Sequence, residues 1–270
     1  MYRSEDGRTV GHDRHHGPLR VLRSLYPEGP GICHHVLVHP PGGIVGGDTL
    51  DIRVSVGQGA HALITTPGAT RFYRSAGPEA AQDSVAAVGE GARLEWLPLE
   101  TIAYPGTRAL NRMRFDLAPS GEMIGWDLLS LGLPASGAPF DRGRFEQSIA
   151  LPGAWLERAV IDAADDRCRR LMTSPLGFDG RTALATLWCA RGSAWPAATR
   201  EALLETARQV LSEGEDPSRG GVTSPDPRFV VVRALACRIE PLWGTLRAIR
   251  HAWRALAWNL PVDSPRVWST

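Results

Sequence analysis

Lysine is missing altogether: all 30 basic residues of this 270-residue chain are arginine. That excludes Schiff-base catalysis and the phosphate-binding lysine of a P-loop, so any nucleotide chemistry the chain takes part in belongs to another protein. Net charge is almost absent too, with 30 basic groups against 29 acidic ones, which leaves no global field to steer nucleic acid or an anionic membrane. Cysteine is scarce and scattered. Cys33, Cys168, Cys189 and Cys237 form no CxxC pair, so neither a small disulfide framework nor a zinc-finger spacing is indicated. No apolar run approaches 18 residues, and the N-terminal MYRSEDGRTVGHDRHHG lacks the apolar core of a signal peptide. A cytoplasmic protein is the expectation. Catalytic signatures are lacking as well: GLPASG at 132–137 is only superficially like a nucleophile elbow, and Gly57 and Gly59 have no third glycine at the dinucleotide-binding offset.

What is present is glycine-punctuated strand material. With 43% apolar residues the chain can bury a substantial core, and no tract reads as a linker, so a single domain over 1–270 is expected, with 1–16 as a flexible arm. LDIRVSV at 50–56 alternates without a break, the mark of a strand with one buried face. VGQGAHAL at 56–63 recurs as VGEGARLE at 88–95, a shift of 32 residues, and a weaker echo begins at Ser120. Strand, tight turn, strand units that cover one another's apolar faces predict a β-solenoid or layered sheets. Further strands are expected at 144–150, 155–161, 182–189 and 229–238. Two amphipathic helices are expected in the C-terminal half, over 197–211 and 242–260, the second with Arg247, Arg250 and Arg254 in a row beside its apolar stripe. Packing on the chain's own sheet explains that stripe better than a membrane or calmodulin does. SEGEDPSRGGVTSPDPR at 212–228 reads as a mobile surface loop.

Two histidine clusters look metal-friendly. His12, His15 and His16 fall in the arm; His34, His35 and His39 lie beside Cys33 and could form a borderline-metal site, although His34 and His35 point to opposite faces of a strand. Carboxylates among apolar neighbours are better candidates, because a chain avoids burying an acid without cause. Asp48 in GGD, Glu100 in LPLETI, Asp127 in GWDLL and Glu157 in WLERAVI stand out. Each either caps a turn or pairs with an arginine (Asp48 with Arg71, Glu157 near Arg158), or else lines a polar passage where oxygen ligands and water hold a divalent metal ion weakly.

HPPGGIVGGD at 39–48 and TTPGATRFYRS at 65–75 resemble the urease accessory protein D family, also called UreD or UreH. Similar motifs recur as GPLRV, LYPEG, LEWLPLETI, GWDLLSLGLPASG, SPLGFDG and SPRVWST, so the likeness covers nearly the whole chain. The family's usual arginine and acid are replaced by Leu133 and Ala138. The resemblance implies a mainly β fold of stacked sheets in a β-helix-like arrangement, with C-terminal helices. It implies a scaffold, not an enzyme, that bridges apo-urease to the F accessory protein and the G GTPase, and passes nickel as transient cargo with no permanently bound cofactor. Asp48, Glu100, Asp127 and Glu157 are then the expected nickel-passage acids, and Thr65, Thr66 and Tyr73 further lining. The alternative is a β-solenoid hydrolase that uses Asp48, Glu100 and Asp127 as paired acids.

Overall fold

The 32-residue shift is the length of one coil of chain. The computed structural model describes residues 1–213 and 219–269. In chain order its strands begin with β1 (Tyr2–Glu5), β2 (Arg8–Gly11), β3 (Arg20–Val21), β4 (Ile32–Val38), β5 (Thr49–Val56), β6 (His61–Thr65) and β7 (Thr70–Phe72). There follow β8 (Ala80–Val88), β9 (Arg93–Leu97), β10 (Thr101–Ala103), β11 (Arg108–Leu117), β12 (Glu122–Leu133), β13 (Ala138–Pro139), β14 (Arg144–Leu151) and β15 (Trp155–Asp162). Helix α1 (Asp166–Thr173), β16 (Ala183–Arg191), α2 (Ala197–Glu213), β17 (Arg219–Asp226), β18 (Phe229–Ala236) and α3 (Ile239–Trp258) complete the order.

β5 lies parallel to β8 with Val56 opposite Val88, and β6 parallel to β9 with His61 opposite Arg93. Equivalent residues of the two copies are therefore neighbours. β11 and β12 add a third coil, but there Val88 faces Leu117 and Arg93 faces Glu122, so the weak third copy stacks 29 residues on. The turns need glycine because each sits directly on the one before. A Cβ on Gly89 would meet Val56 O at 3.1 Å, and one on Gly121 would meet Val88 O at 2.8 Å. Gly192, whose N–H donates to Gly121 O at 3.0 Å, is tighter still: its Cβ would stand 1.9 Å from Ala118 O. Since that neighbour is backbone, Gly192→Ala is expected to destabilise by about 1–3 kcal/mol. The measure is a lower urea midpoint at unchanged slope; a wild-type midpoint would show that the turn yields freely.

One sheet runs β15-β14-β11-β8-β5-β1-β2, and the other β17-β18-β16-β12-β9-β6-β4-β3, with β10 and β13 paired to β12 and β7 paired to β10. Helices α2 and α3 cover the outer face of the second sheet, tied together where Trp253 Nε1 donates to Leu203 O at 2.8 Å. The expected mainly β, solenoid-like stack with two C-terminal helices is what forms. No helix among the described residues is long and apolar enough to cross a membrane.

Four local expectations are corrected. Helix α1 escapes sequence reading because it is only eight residues long, three of them arginine, and buries none of its side chains fully, although Met172 packs against the core; the Asp165 carboxylate caps it by accepting from Arg167 N at 2.7 Å. α3 begins earlier than expected and ends before Leu260, stopped by Asn259 at φ +52°. Of the expected loop at 212–228, residues 219–226 form strand β17, antiparallel to β18; Gly220, Gly221 and Pro225 are tolerated because β17 is an edge strand, and 214–218 lie outside the described residues. The first part of the supposed arm is a hairpin, β1 with β2, that joins β5 and buries Tyr2 and Thr9.

The core has three apolar clusters. Trp126, Leu187, Val230, Leu203, Leu246 and Trp253 belong to the one between the second sheet and the helices. The space between the two sheets holds the other two: one around Phe115, Trp188 and Phe229, the other around Phe72, Phe145 and Leu131.

Candidate functional site

A polar row separates the two apolar clusters between the sheets. On the first sheet Gln82 lies opposite Asn111, and Asn111 opposite Gln147, on three adjacent parallel strands. The alternation of β11 turns Ala109, Asn111, Met113 and Phe115 inward and arginines outward, so Asn111 takes a place the pattern would give to an apolar residue. On the second sheet Asp127 pairs in register with Thr186, and Thr186 with Arg233. The two sides meet at Asp127, which accepts from Asn111 Nδ2 at 3.4 Å and from Gln147 Nε2. Glu157 reaches the same band from β15, accepting from Arg233 Nε at 2.9 Å.

The electrostatics of this row follow from burial. Enclosure raises the Asp127 carboxyl to about 6; the Gln147 amide works against that and the charge of Glu157 adds to it. Asn111 Oδ1 and Ser84 Oγ, also facing the row, are buried without a hydrogen-bond partner. A band of amides and two acids, with acceptor oxygens to spare, suits a hard or borderline cation held loosely. Gln82 also lines a cavity of about 190 Å³, together with His39, Thr66, Thr70, Arg71 and Trp96.

The other expected residues scatter. Asp48 is exposed and caps its own turn, with Oδ2 accepting from Val45 N at 3.1 Å; its charge reaches His39, where it opposes the lowering by burial. Glu100 is half-buried in the loop before β10, where its carbonyl accepts from Thr70 N. Thr65 and Thr66 border the cavity, but the Thr65 hydroxyl donates to Leu97 O at 2.6 Å and accepts from Trp268 Nε1 at 2.8 Å. Tyr73 packs edge-on against Tyr104, with ring centroids 4.8 Å apart. Asp127 and Glu157 are thus brought together, while Asp48 and Glu100 stand apart from them. Asp48 is exposed whereas Asp127 is enclosed. Glu157 does pair with arginine, but with Arg233, and Arg158 goes to Glu146. Nor do the histidines beside Cys33 converge: His35 is held by Tyr2 and Ser24 at 2.8 and 2.7 Å, and His34 by Glu28 on the other side.

Sequence reading missed a second buried charge cluster, on the helix-covered face. Glu95, Arg250 and Arg254 are 0% exposed. Arg250 Nε donates to Glu95 Oε2 at 2.8 Å, Arg254 Nε stands 3.2 Å from Oε1, and His61 Nε2 lies 3.1 Å from the same oxygen. Burial alone would push the Glu95 carboxyl up, but Arg250, His61 and Arg254 outweigh it and hold it well below the usual carboxylate range. Burial also lowers His61, against the pull of Glu95. The arginine row of α3 was the visible signal, and its direction was the error: two of the three arginines face the sheet.

Compared with known proteins, residues 1–269 match the family model described as UreD urease accessory protein. A protein of Leptothrix cholodnii named urease accessory protein UreD is 57% identical over 265 residues, covering 98% of this chain and 94% of its own length. Proteins with the same name from Methylibium petroleiphilum and Albidiferax ferrireducens are 57% and 54% identical, covering 97% and 99% of this chain and 92% and 96% of their own.

Proposed function

The chain belongs to the UreD urease accessory protein family and serves urease maturation, and we propose that it does so in the cytoplasm as a non-catalytic bridge that hands nickel to apo-urease. On this reading it joins apo-urease to the F accessory protein and, through it, to the G GTPase, which does the nucleotide chemistry a lysine-free chain cannot do through a P-loop. Nickel is cargo and is not retained. The observation that carries the reading is the polar row of Gln82, Asn111, Gln147, Asp127 and Glu157 between two apolar clusters. A core with no such task would close that gap with apolar side chains, since buried amides and acids add desolvation cost without adding apolar burial.

In such a passage the amides of Asn111 and Gln147, which now donate to Asp127, turn to offer their oxygens to an arriving cation. Asp127, with its carboxyl near 6, is mostly ionised at cytoplasmic pH yet readily exchanges a proton for a metal. Glu157, shared with Arg233, provides the next oxygen. Oxygen donors suit a step that must release the ion, because Ni²⁺ is held more firmly by imidazole and thiolate.

Asn111→Leu tests the passage by joining the two apolar clusters. Tagged chain is co-purified with apo-urease and the F and G proteins, and urease activity is read after adding nickel and GTP. Assembly should persist while activation falls at least tenfold. Full activation with Asn111→Leu and Gln147→Leu combined would rule the row out as the route, and loss of assembly would make it structural.

A further inference from the structure

We propose that Glu28, His34 and Asp263 form a binding site for one first-row divalent transition-metal ion, on the helix-covered face of the second sheet and apart from the polar row. One ligand atom from each of the three lies within 4.8 Å of the other two. His34 Nε2 is 2.9 Å from Glu28 Oε1. With metal–ligand bonds of about 2.1 Å, adjacent ligands of an octahedral ion stand about 3.0 Å apart and opposite ones about 4.2 Å. The His34–Glu28 separation is therefore that of adjacent ligands, and the Asp263 ligand atom stands within 4.8 Å of both.

Each side chain is already arranged for the task. Asp263 Oδ2 is buried with no hydrogen-bond partner, a costly state for a carboxylate oxygen that a cation relieves. The Asp263 main chain is fixed, its carbonyl accepting from Arg250 Nη1 at 2.5 Å and lying 3.1 Å from His251 Nε2. Arg254 Nη2 donates to Glu28 Oε2 at 2.6 Å, which orients the carboxylate and leaves Oε1 for the ion; partners of this kind govern metal affinity as the ligands do. The neighbouring guanidiniums are committed to Glu28, Glu95 and the carbonyls of Pro261 and Asp263. One imidazole nitrogen with two carboxylate oxygens selects Ni²⁺, Zn²⁺ or Co²⁺ over Ca²⁺ or Mg²⁺, which take oxygen alone, and over Cu⁺, which takes sulfur. Binding uses the Nε2 lone pair, so the proton there leaves to solvent and no redox change is involved. The ion ties the chain's early strand β4 to the segment after α3.

The test is equilibrium dialysis of the full chain against NiCl₂ and, separately, ZnSO₄, comparing wild type with Asp263→Asn, His15→Ala/His16→Ala and Asp127→Asn. Asp263→Asn keeps the side-chain shape and disturbs an oxygen with no partner to lose. It should lose one equivalent, or bind it at least tenfold more weakly, whereas the surface-histidine and Asp127 variants should keep that equivalent. Zn²⁺ should also raise the melting temperature of wild type but not of Asp263→Asn. Identical binding by Asp263→Asn and wild type overturns the proposal. So does loss of the equivalent in Asp127→Asn alone, which would assign the ion to the polar row. Should Asp263→Asn fail to fold, Co²⁺ on the wild-type chain decides: visible bands that persist in the surface-histidine variant and vanish in His34→Gln support the site, and bands unchanged in His34→Gln sink it.

Discussion

Replacing Glu95 by alanine is expected to leave little folded protein. Arg250 and Arg254 are wholly buried and both turn toward this one carboxylate. Breaking a buried pair typically costs 3–5 kcal/mol because the partner stays charged and enclosed. Here two cations lose their partner, so the cost should lie at or above the top of that range, against a total stability of roughly 5–15 kcal/mol for a folded protein. Glu28 still engages Arg254, so the greater share falls on Arg250. Glu95→Met combined with Arg250→Met should recover part of the loss, since apolar replacement of a whole pair is often tolerated. The sign of the pH dependence is also fixed. The Glu95 carboxyl is held below its ordinary 4.5, so its contribution is present above pH 4.5 and drains away as pH falls below that value. Urea unfolding of the soluble variants reads all of this, and an alanine variant within about 1 kcal/mol of wild type would show that the cluster adds nothing.

Asp127→Asn should do the opposite to stability while damaging function. In the folded chain this carboxyl is raised from 3.8 to about 6. Between those values the folded state binds the proton more tightly than the unfolded state, so wild-type stability falls as pH rises through the window and the full penalty stands above pH 6. At 1.36 kcal/mol per unit that penalty is roughly 3 kcal/mol. Asparagine removes it. Its amide can donate to Asn111 Oδ1, which has no partner at present, while its oxygen continues to accept from Gln147. The variant should therefore be more stable than wild type by up to roughly 3 kcal/mol at pH 7.5, with the gain fading toward pH 4. Urease activation by the assembled complex should nonetheless drop at least tenfold, because the charge that draws a cation into the row is gone. A residue whose removal stabilises the fold and impairs the task is kept for the task. A variant less stable than wild type at pH 7.5 would make Asp127 a structural acid.

The repeat was legible because coil length is a local property. Turn glycines recur wherever one coil sits on the last, so Gly57 and Gly89 announced the stack before any strand was placed. Strand faces were legible for the same reason: period-two alternation needs only neighbouring residues. The segment at 219–226 was not, because an edge strand tolerates the glycines and proline that elsewhere mark a loop.

Asp127 could be picked out from its apolar setting alone, since an acid between Trp126 and Leu128 asks for a reason. By itself the sequence determined the coil repeat, the family and the suspicion attached to that acid. Only the tertiary structure decided that Asp127 meets Asn111 and Gln147 across the two sheets, and that Glu95 meets Arg250, 155 residues further along the chain. Periodicity states which face of an element is buried but not which face of another element opposes it. The energy of a buried charge depends on that opposing face.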